Sequence, residues 1–177
     1  MEHWSEIEAR LAARSRMLLA LDFDAMVCAA GTKPDQLAFS ESMESLLKKL
    51  GASNRITLVF LTERPLQESR AQIGIKNSFY AGNHGVEGLL PGLTAGRIAW
   101  SKGNAISQIL AKLDLTPADT IYVGDDEEAF NLLSEGLTFC ISKEVPDSTA
   151  RYRLYNISEV PAFLFCILCD VSGMRLT

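Results

Sequence analysis

The stretch "LLALDFDAMV", residues 18–27, decides the fold. Five of its first six residues are apolar, and two carboxylates, Asp22 and Asp24, follow one residue apart where the run leaves its strand. A continuous apolar run of strand length, "MLLALD" (17–22), is the pattern of a strand buried on both faces of a parallel sheet. Two like charges so close resist joint ionisation unless a positive group lies near them. The pair therefore asks for a cation, and the rest of the chain is read for where that cation comes from.

Outward from this stretch, buried strands alternate with helices. Residues 3–14 read as a surface helix, 38–51 as a helix stopped by Gly51, and 55–62, "RITLVFLT", as a second buried strand. A helix over 65–74 starts at Pro65 and ends at Gly74. A short strand at 78–82 follows, then a glycine-broken hairpin or irregular excursion at 86–100. Further on come a helix at 102–115, a strand at 120–126, a helix at 127–136, a strand at 137–142 and a very apolar closing helix at 158–171. This alternation predicts an α/β three-layer sandwich with a mainly parallel sheet, formed as one core domain over residues 1–177. In such sheets ligands bind beyond the carboxyl ends of the strands.

Composition narrows the function classes. The 177 residues carry a formal net charge of −5, which argues against a nucleic-acid surface. No apolar run approaches the roughly 18–20 uncharged residues of a membrane span. The charged, amphipathic start "MEHWSEIEARLAARS" is no secretory signal. Four cysteines imply no disulfide framework, so a reduced cytoplasmic setting is expected. Cys166-x-x-Cys169 lies on an apolar helix without a second ligand pair, which makes it core rather than a zinc site.

Asp22, Thr62 and Asp125 each fall where an apolar strand ends, and Lys102 falls where a helix begins. At one sheet edge these carboxylates form a hard oxygen site suited to Mg²⁺, and a lysine and a hydroxyl beside them suit phosphate oxygens. Receiver-type signalling domains gather similar groups, but they place the lysine last. Here Lys102 precedes Asp125, and no acceptor-like Asp follows the second strand.

The order Asp-x-Asp, Thr, Lys, Asp-Asp resembles the haloacid dehalogenase superfamily of phosphatases. Within it the chain resembles trehalose-6-phosphate phosphatases through "LLALDFD", "LVFLTERPL", "AGNHGVE", "KGNAI", "YVGDD…EEAF" and "YRLYNISEVPAFL", spread over residues 17 to 165. The resemblance implies that Asp22 is the nucleophile and Asp24 the general acid and base. It implies that Thr62, Lys102 and Arg64 bind the phosphoryl group. Asp125, with Asp126 or Glu127 behind it, would hold Mg²⁺ together with Asp22 and the backbone carbonyl of Asp24. Asn83, His84 and Glu87 would lie at the substrate edge, although His84 in "GNHG" equally reads as a turn residue.

The chain departs from the family in four places. Ala25-Met26-Val27 replaces Gly-Thr-Leu after the second Asp, Glu63 replaces a glycine, and the loop after Asp125 is shorter. Between Glu87 and Lys102, where the family carries a cap domain, only residues 88–101 remain. Fewer than about 40 residues do not bury a core of their own, so 86–101 is expected to be a cap remnant over an open site. Trehalose specificity does not carry over. The expected substrate is a small phosphorylated metabolite or a larger phosphorylated molecule. The alternative is a catalytically weak or inactive regulatory relative that binds without turnover. Val86, Leu89, Leu90, Leu93, Ile98 and Trp100 read either as strand packing or as a contact surface in a homo-oligomer.

Overall fold

The computed structural model describes residues 3–30, 39–82, 85–87, 101–141 and 147–174. Among them the chain runs α1 (Trp4–Ala12), β1 (Met17–Asp22), α2 (Phe23–Ala30), α3 (Glu41–Gly51), β2 (Ile56–Leu61), α4 (Leu66–Ile73), β3 (Phe79–Gly82) and β4 (Gly85–Glu87). It continues with α5 (Lys102–Leu113), a 3-10 turn (Pro117–Asp119), β5 (Thr120–Gly124), α6 (Glu127–Leu132), β6 (Leu137–Ile141), β7 (Tyr152–Leu154) and α7 (Glu159–Val171). The sheet order is β4-β3-β2-β1-β5-β6-β7, and only the β3–β4 pair is antiparallel.

The side-chain alternation of β1 builds both halves of the core. Met17, Leu19 and Leu21 join one apolar cluster with residues of α1, α3 and α7. Leu18 and Ala20 join the other, against Ile106 and Ile109 of α5 and Phe130 of α6. All six residues of β1 are buried, as the unbroken apolar run requires. Burying a side chain of this size stabilises the fold by about 1.5–3 kcal/mol. The expected three-layer α/β arrangement is therefore the one that forms.

Two elements were not expected. α2 follows β1 directly, because the Ala25 N–H donates to Asp22 Oδ1 at 3.1 Å and caps the helix start. Its first turns bury Ala25, Met26 and Val27 in the core, so the residues that replace Gly-Thr-Leu serve as helix packing. β7 adds a three-residue edge strand parallel to β6, too short to stand out as a periodic signal. The ends of α4 are as read: Pro65 precedes the helix, and Gly74 closes it in the left-handed region at φ 66°. The strand expected over 120–126 ends at Gly124, which frees Asp125 and Asp126 for the following turn. Of the cap remnant expected over 86–101, residues 86 and 87 fall in the antiparallel strand β4 and residue 101 precedes α5; residues 88–100 lie outside the described residues.

The chain leaves β1 for β2 and β3 on one side, then returns through α5 to pair β5 on the other. β1 and β5 thus flank the point where the strand order reverses. The crevice at such a point, beyond the carboxyl ends of the strands, is where an α/β sheet takes its ligands.

Candidate active site at the β1–β5 switch point

Asp22 closes β1 at this crevice and is fully buried. Its Oδ2 meets Lys102 Nζ at 2.7 Å and accepts a hydrogen bond from Tyr122 Oη at 3.2 Å. With the Ala25 N–H on Oδ1, both oxygens have partners. Burial, more than any neighbour, pushes the Asp22 carboxyl up to about 6. The Lys102 charge and the Ala25 N–H pull it down, while the charge of Asp125 adds to the upward push.

Lys102 is the first residue of α5, a helix capped by Ser101, whose Oγ accepts from the Asn104 N–H at 3.1 Å. Ser101 Oγ also donates to Glu128 Oε1 at 3.1 Å, tying α5 to α6. Lys102 is only 6% exposed. Burial opposes its charge, but attraction to Asp22, Asp125 and Glu63 outweighs burial and holds the ammonium above its ordinary range. This lysine is the positive group beside Asp22, the first of the two opening carboxylates, where the sequence predicts Mg²⁺.

Thr62 and Asp24 meet on the other side of the crevice. Thr62 is buried, and its N–H donates to the Ala81 carbonyl at 2.9 Å, extending the β2–β3 ladder by one bond. Its Oγ1 donates to Asp24 Oδ1 at 3.1 Å and accepts from the Arg64 N–H at 3.1 Å. Asp24 Oδ2 accepts from the Glu63 N–H at 2.6 Å, and Arg64 Nε lies 3.6 Å from Oδ1. The first turn of α2 is thereby pinned to the loop after β2. Arg64 also stands over the Phe23 ring, 5.8 Å from its centroid, and reaches Gln72 Oε1 at 3.2 Å. Glu63, largely exposed, hangs over the mouth with Oε1 3.9 Å from Lys102 Nζ.

Asp125 follows β5 and is exposed at the same edge, close enough for its charge to act on Asp22 and Lys102. Asp126 instead caps α6, with Oδ1 accepting from the Ala129 N–H at 2.8 Å. Asn83 and His84 lie outside the described residues, and Glu87 is placed by its backbone in β4. The structure therefore gathers Asp22, Asp24, Thr62, Lys102, Arg64 and Asp125 at one edge.

Tyr122 was not foreseen. In "TIYVG" it reads as one more core residue of a buried strand, and nothing in the spacing marks its hydroxyl as polar work at the site. Burial and the charges of Asp22, Asp126 and Asp125 hold its phenol well above the ordinary range, so it stays protonated and donates.

Among the described residues no three His, Cys, Asp or Glu side chains cluster in a way that would hold a metal by themselves. The donors that fit a hard divalent cation are Asp22 and Asp125, whose charges already act on each other.

The topology defines an α/β core of the haloacid-dehalogenase-like fold, with a mainly parallel sheet. Residues 20–95 match the family model described as Trehalose-phosphatase. The chain is similar to trehalose-phosphate phosphatase B of Arabidopsis thaliana, with 37% identity over 38% of this chain and 20% of that protein. The chain thus spans about a fifth of the length of the curated relatives it matches. Its fold is similar to that of the trehalose-6-phosphate phosphatase of Aspergillus fumigatus, with a TM-score of 0.71 and 12% identity over 93% of this chain and 97% of that one. It is also similar to the 3-deoxy-D-manno-octulosonate 8-phosphate phosphatase of Yersinia pestis, with a TM-score of 0.59 and 19% identity over 95% and 89% of the two chains.

Proposed function

We propose that this chain is a Mg²⁺-dependent phosphatase that hydrolyses a phosphate monoester through an aspartyl-phosphate on Asp22. The observation that carries the reading is the buried Asp22–Lys102 pair, 2.7 Å apart, facing the Thr62–Asp24 pair across the switch-point crevice. The family match over residues 20–95 and the similar trehalose-phosphate phosphatases support it.

In the first half-reaction a carboxylate oxygen of Asp22 attacks phosphorus and the ester P–O bond breaks. Asp24 gives its proton to the departing alkoxide, leaving a neutral alcohol and an acyl phosphate. In the second, Asp24 takes a proton from water, and the resulting hydroxide attacks phosphorus. The acyl-phosphate bond breaks, releasing inorganic phosphate and the Asp22 carboxylate. Lys102, Thr62 and Arg64 bind the phosphoryl oxygens and offset the charge that builds on them. Asp22, Asp125 and the backbone carbonyl of Asp24 would hold Mg²⁺, with Asp126 behind them. When bound, Mg²⁺ supplies positive charge that lets Asp22 and the phosphoryl group approach.

Glu87 and Lys102 are separated by fourteen residues, so the site is read as open and the substrate as a small phosphorylated metabolite or a larger phosphorylated molecule. We further propose that the chain self-associates through residues 86–100, whose Leu89, Leu90, Leu93, Ile98 and Trp100 are apolar. One observation favours a second reading, a phosphate-binding relative without turnover. The Glu63 carboxylate near Lys102 competes with a phosphoryl group for the same ammonium.

Hydrolysis of p-nitrophenyl phosphate in Mg²⁺ and in EDTA decides. Turnover that needs Mg²⁺ and vanishes in Asp22→Asn supports the phosphatase. Inorganic phosphate binding without turnover supports the second reading.

A further inference from the structure

We propose that Tyr122 is a positioning residue for Asp22: its hydroxyl ties the carboxylate at the end of β1 to the neighbouring strand β5, setting the orientation in which Asp22 reacts. The inference rests on the phosphatase reading for its consequence, but its geometry stands apart from it.

Three observations converge. First, Tyr122 is completely buried, and its Oη donates to Asp22 Oδ2 at 3.2 Å. One hydroxyl thus ties the carboxylate to β5, the strand that leads into Asp125. Second, the register places the phenol for this task. Ala20 pairs with Tyr122 and Leu21 with Val123, so Asp22 and Gly124 lie one step further toward the carboxyl ends. Tyr122 and Gly124 share a face, and the tyrosine ring runs along that face past the glycine to reach Asp22. Third, the passage exists only because residue 124 has no side chain. A Cβ there would lie 2.6 Å from Tyr122 Cζ and 2.7 Å from Asp22 Cβ, and closer still to Tyr122 Oη.

A carboxylate at a strand end can rotate about its Cβ–Cγ bond. Lys102 alone would not stop this, because its flexible stem follows the oxygen it binds. The phenol is rigid, with its ring packed 5.3 Å from the Phe130 ring. With Tyr122 on Oδ2 and the Ala25 N–H on Oδ1, the plane of the carboxylate is held from both sides. Small errors in the approach of a nucleophile cost rate without costing binding.

The test is Tyr122→Phe, which removes one hydroxyl and keeps the ring. With p-nitrophenyl phosphate and Mg²⁺, kcat is expected to fall about tenfold, the loss of one hydrogen bond to a charged group, with KM within about twofold of wild type. Phe130→Leu loosens the packing of the same ring and leaves the hydroxyl in place. It should lower Tm and lower kcat by less than Tyr122→Phe does, because the hydroxyl still reaches Asp22. Beryllofluoride, which mimics a phosphoryl group on a carboxylate, gives a readout independent of turnover. Its half-saturating concentration should rise about tenfold in Tyr122→Phe. A Tyr122→Phe protein with kcat and beryllofluoride binding within twofold of wild type overturns the proposal, as does a Phe130→Leu protein that reproduces the whole kcat loss. If wild type binds beryllofluoride but does not turn over, the phosphatase reading fails while the shift in beryllofluoride binding still decides the role of Tyr122. If wild type does neither, both are overturned.

Discussion

Asp22 has two structural duties beside its proposed chemical one: it accepts the capping N–H of α2 and pairs with buried Lys102. Asp22→Asn keeps the shape and the capping oxygen but is a poor nucleophile. We expect turnover below about 1% of wild type with the far-UV circular dichroism preserved. Gly124 is the complementary case, a residue whose value lies in what it lacks. Gly124→Ala must displace either the Tyr122 phenol or Asp22 itself. Overpacking of this kind costs about 1–3 kcal/mol, so Tm should fall by roughly 3–10 °C for a chain of this length. Turnover should drop as well, because the displaced groups are those of the site. A Tm within 1 °C of wild type by calorimetry would show that the strand yields more easily than its packing indicates.

At the scale of elements, the 3-10 turn before β5 is held by Asp119. Its Oδ2 accepts from the Thr116 N–H at 2.9 Å and from Thr116 Oγ1 at 2.6 Å, and its Oδ1 meets Arg14 Nη1 at 3.0 Å, tying the turn to the chain just after α1. Burial pushes this carboxyl up, but the Thr116 donors and the Arg14 charge prevail and hold it below its ordinary range. A carboxyl lowered on folding lends stability above its unfolded-state value and loses it as pH falls through the folded one. Asp119→Asn should therefore lower Tm by about 2–4 °C at neutral pH, the worth of one cap. The gap between variant and wild type should narrow as pH falls below the ordinary carboxylate range, as the wild-type carboxyl takes up its proton. Thermal melts at pH 7 and pH 2.5 check this, and an equal gap at both would mean that charge plays no part.

For the whole molecule, the crevice carries Asp22, Asp24, Glu63 and Asp125 around Lys102 and Arg64. A divalent cation that binds only the folded state stabilises it by mass action. Millimolar Mg²⁺ should raise Tm by a measurable amount, and Asp125→Ala should abolish most of that rise. An equal shift in the variant would move the cation elsewhere. Light scattering at micromolar concentration tests self-association. An assembly that Leu90→Glu and Trp100→Glu dissolve supports residues 86–100 as the contact, and a monomer unaffected by both removes it. Among the described residues no helix is long and apolar enough to cross a membrane.

Much of this was legible in the chain itself. A strand buried on both faces must be apolar throughout, so "MLLALD", "RITLVFLT" and "TIYVG" declared the parallel sheet. A carboxylate or hydroxyl at the end of such a run has nowhere to go but the sheet edge, so the gathering of Asp22, Thr62 and Asp125 at one edge could be expected. Helix ends with strong punctuation, such as Gly74, were equally plain. Other features belonged to tertiary structure alone. α2 exists because Asp22 caps it and the core takes up Ala25, Met26 and Val27, and no local periodicity announces either condition. β7 is a strand only because β6 offers it an edge. Lys102 meets Asp22 across 80 residues of sequence because β1 and the start of α5 come together at the switch point. The role of Tyr122 was the least visible. A tyrosine within an apolar strand reads as core, and only the parallel register of β1 with β5, beside a glycine with no Cβ, brings its hydroxyl to a carboxylate 100 residues away. Hydrophobic pattern is a local property that the chain must display to fold, whereas the meeting of two polar atoms depends on register and packing, which the chain acquires only by folding.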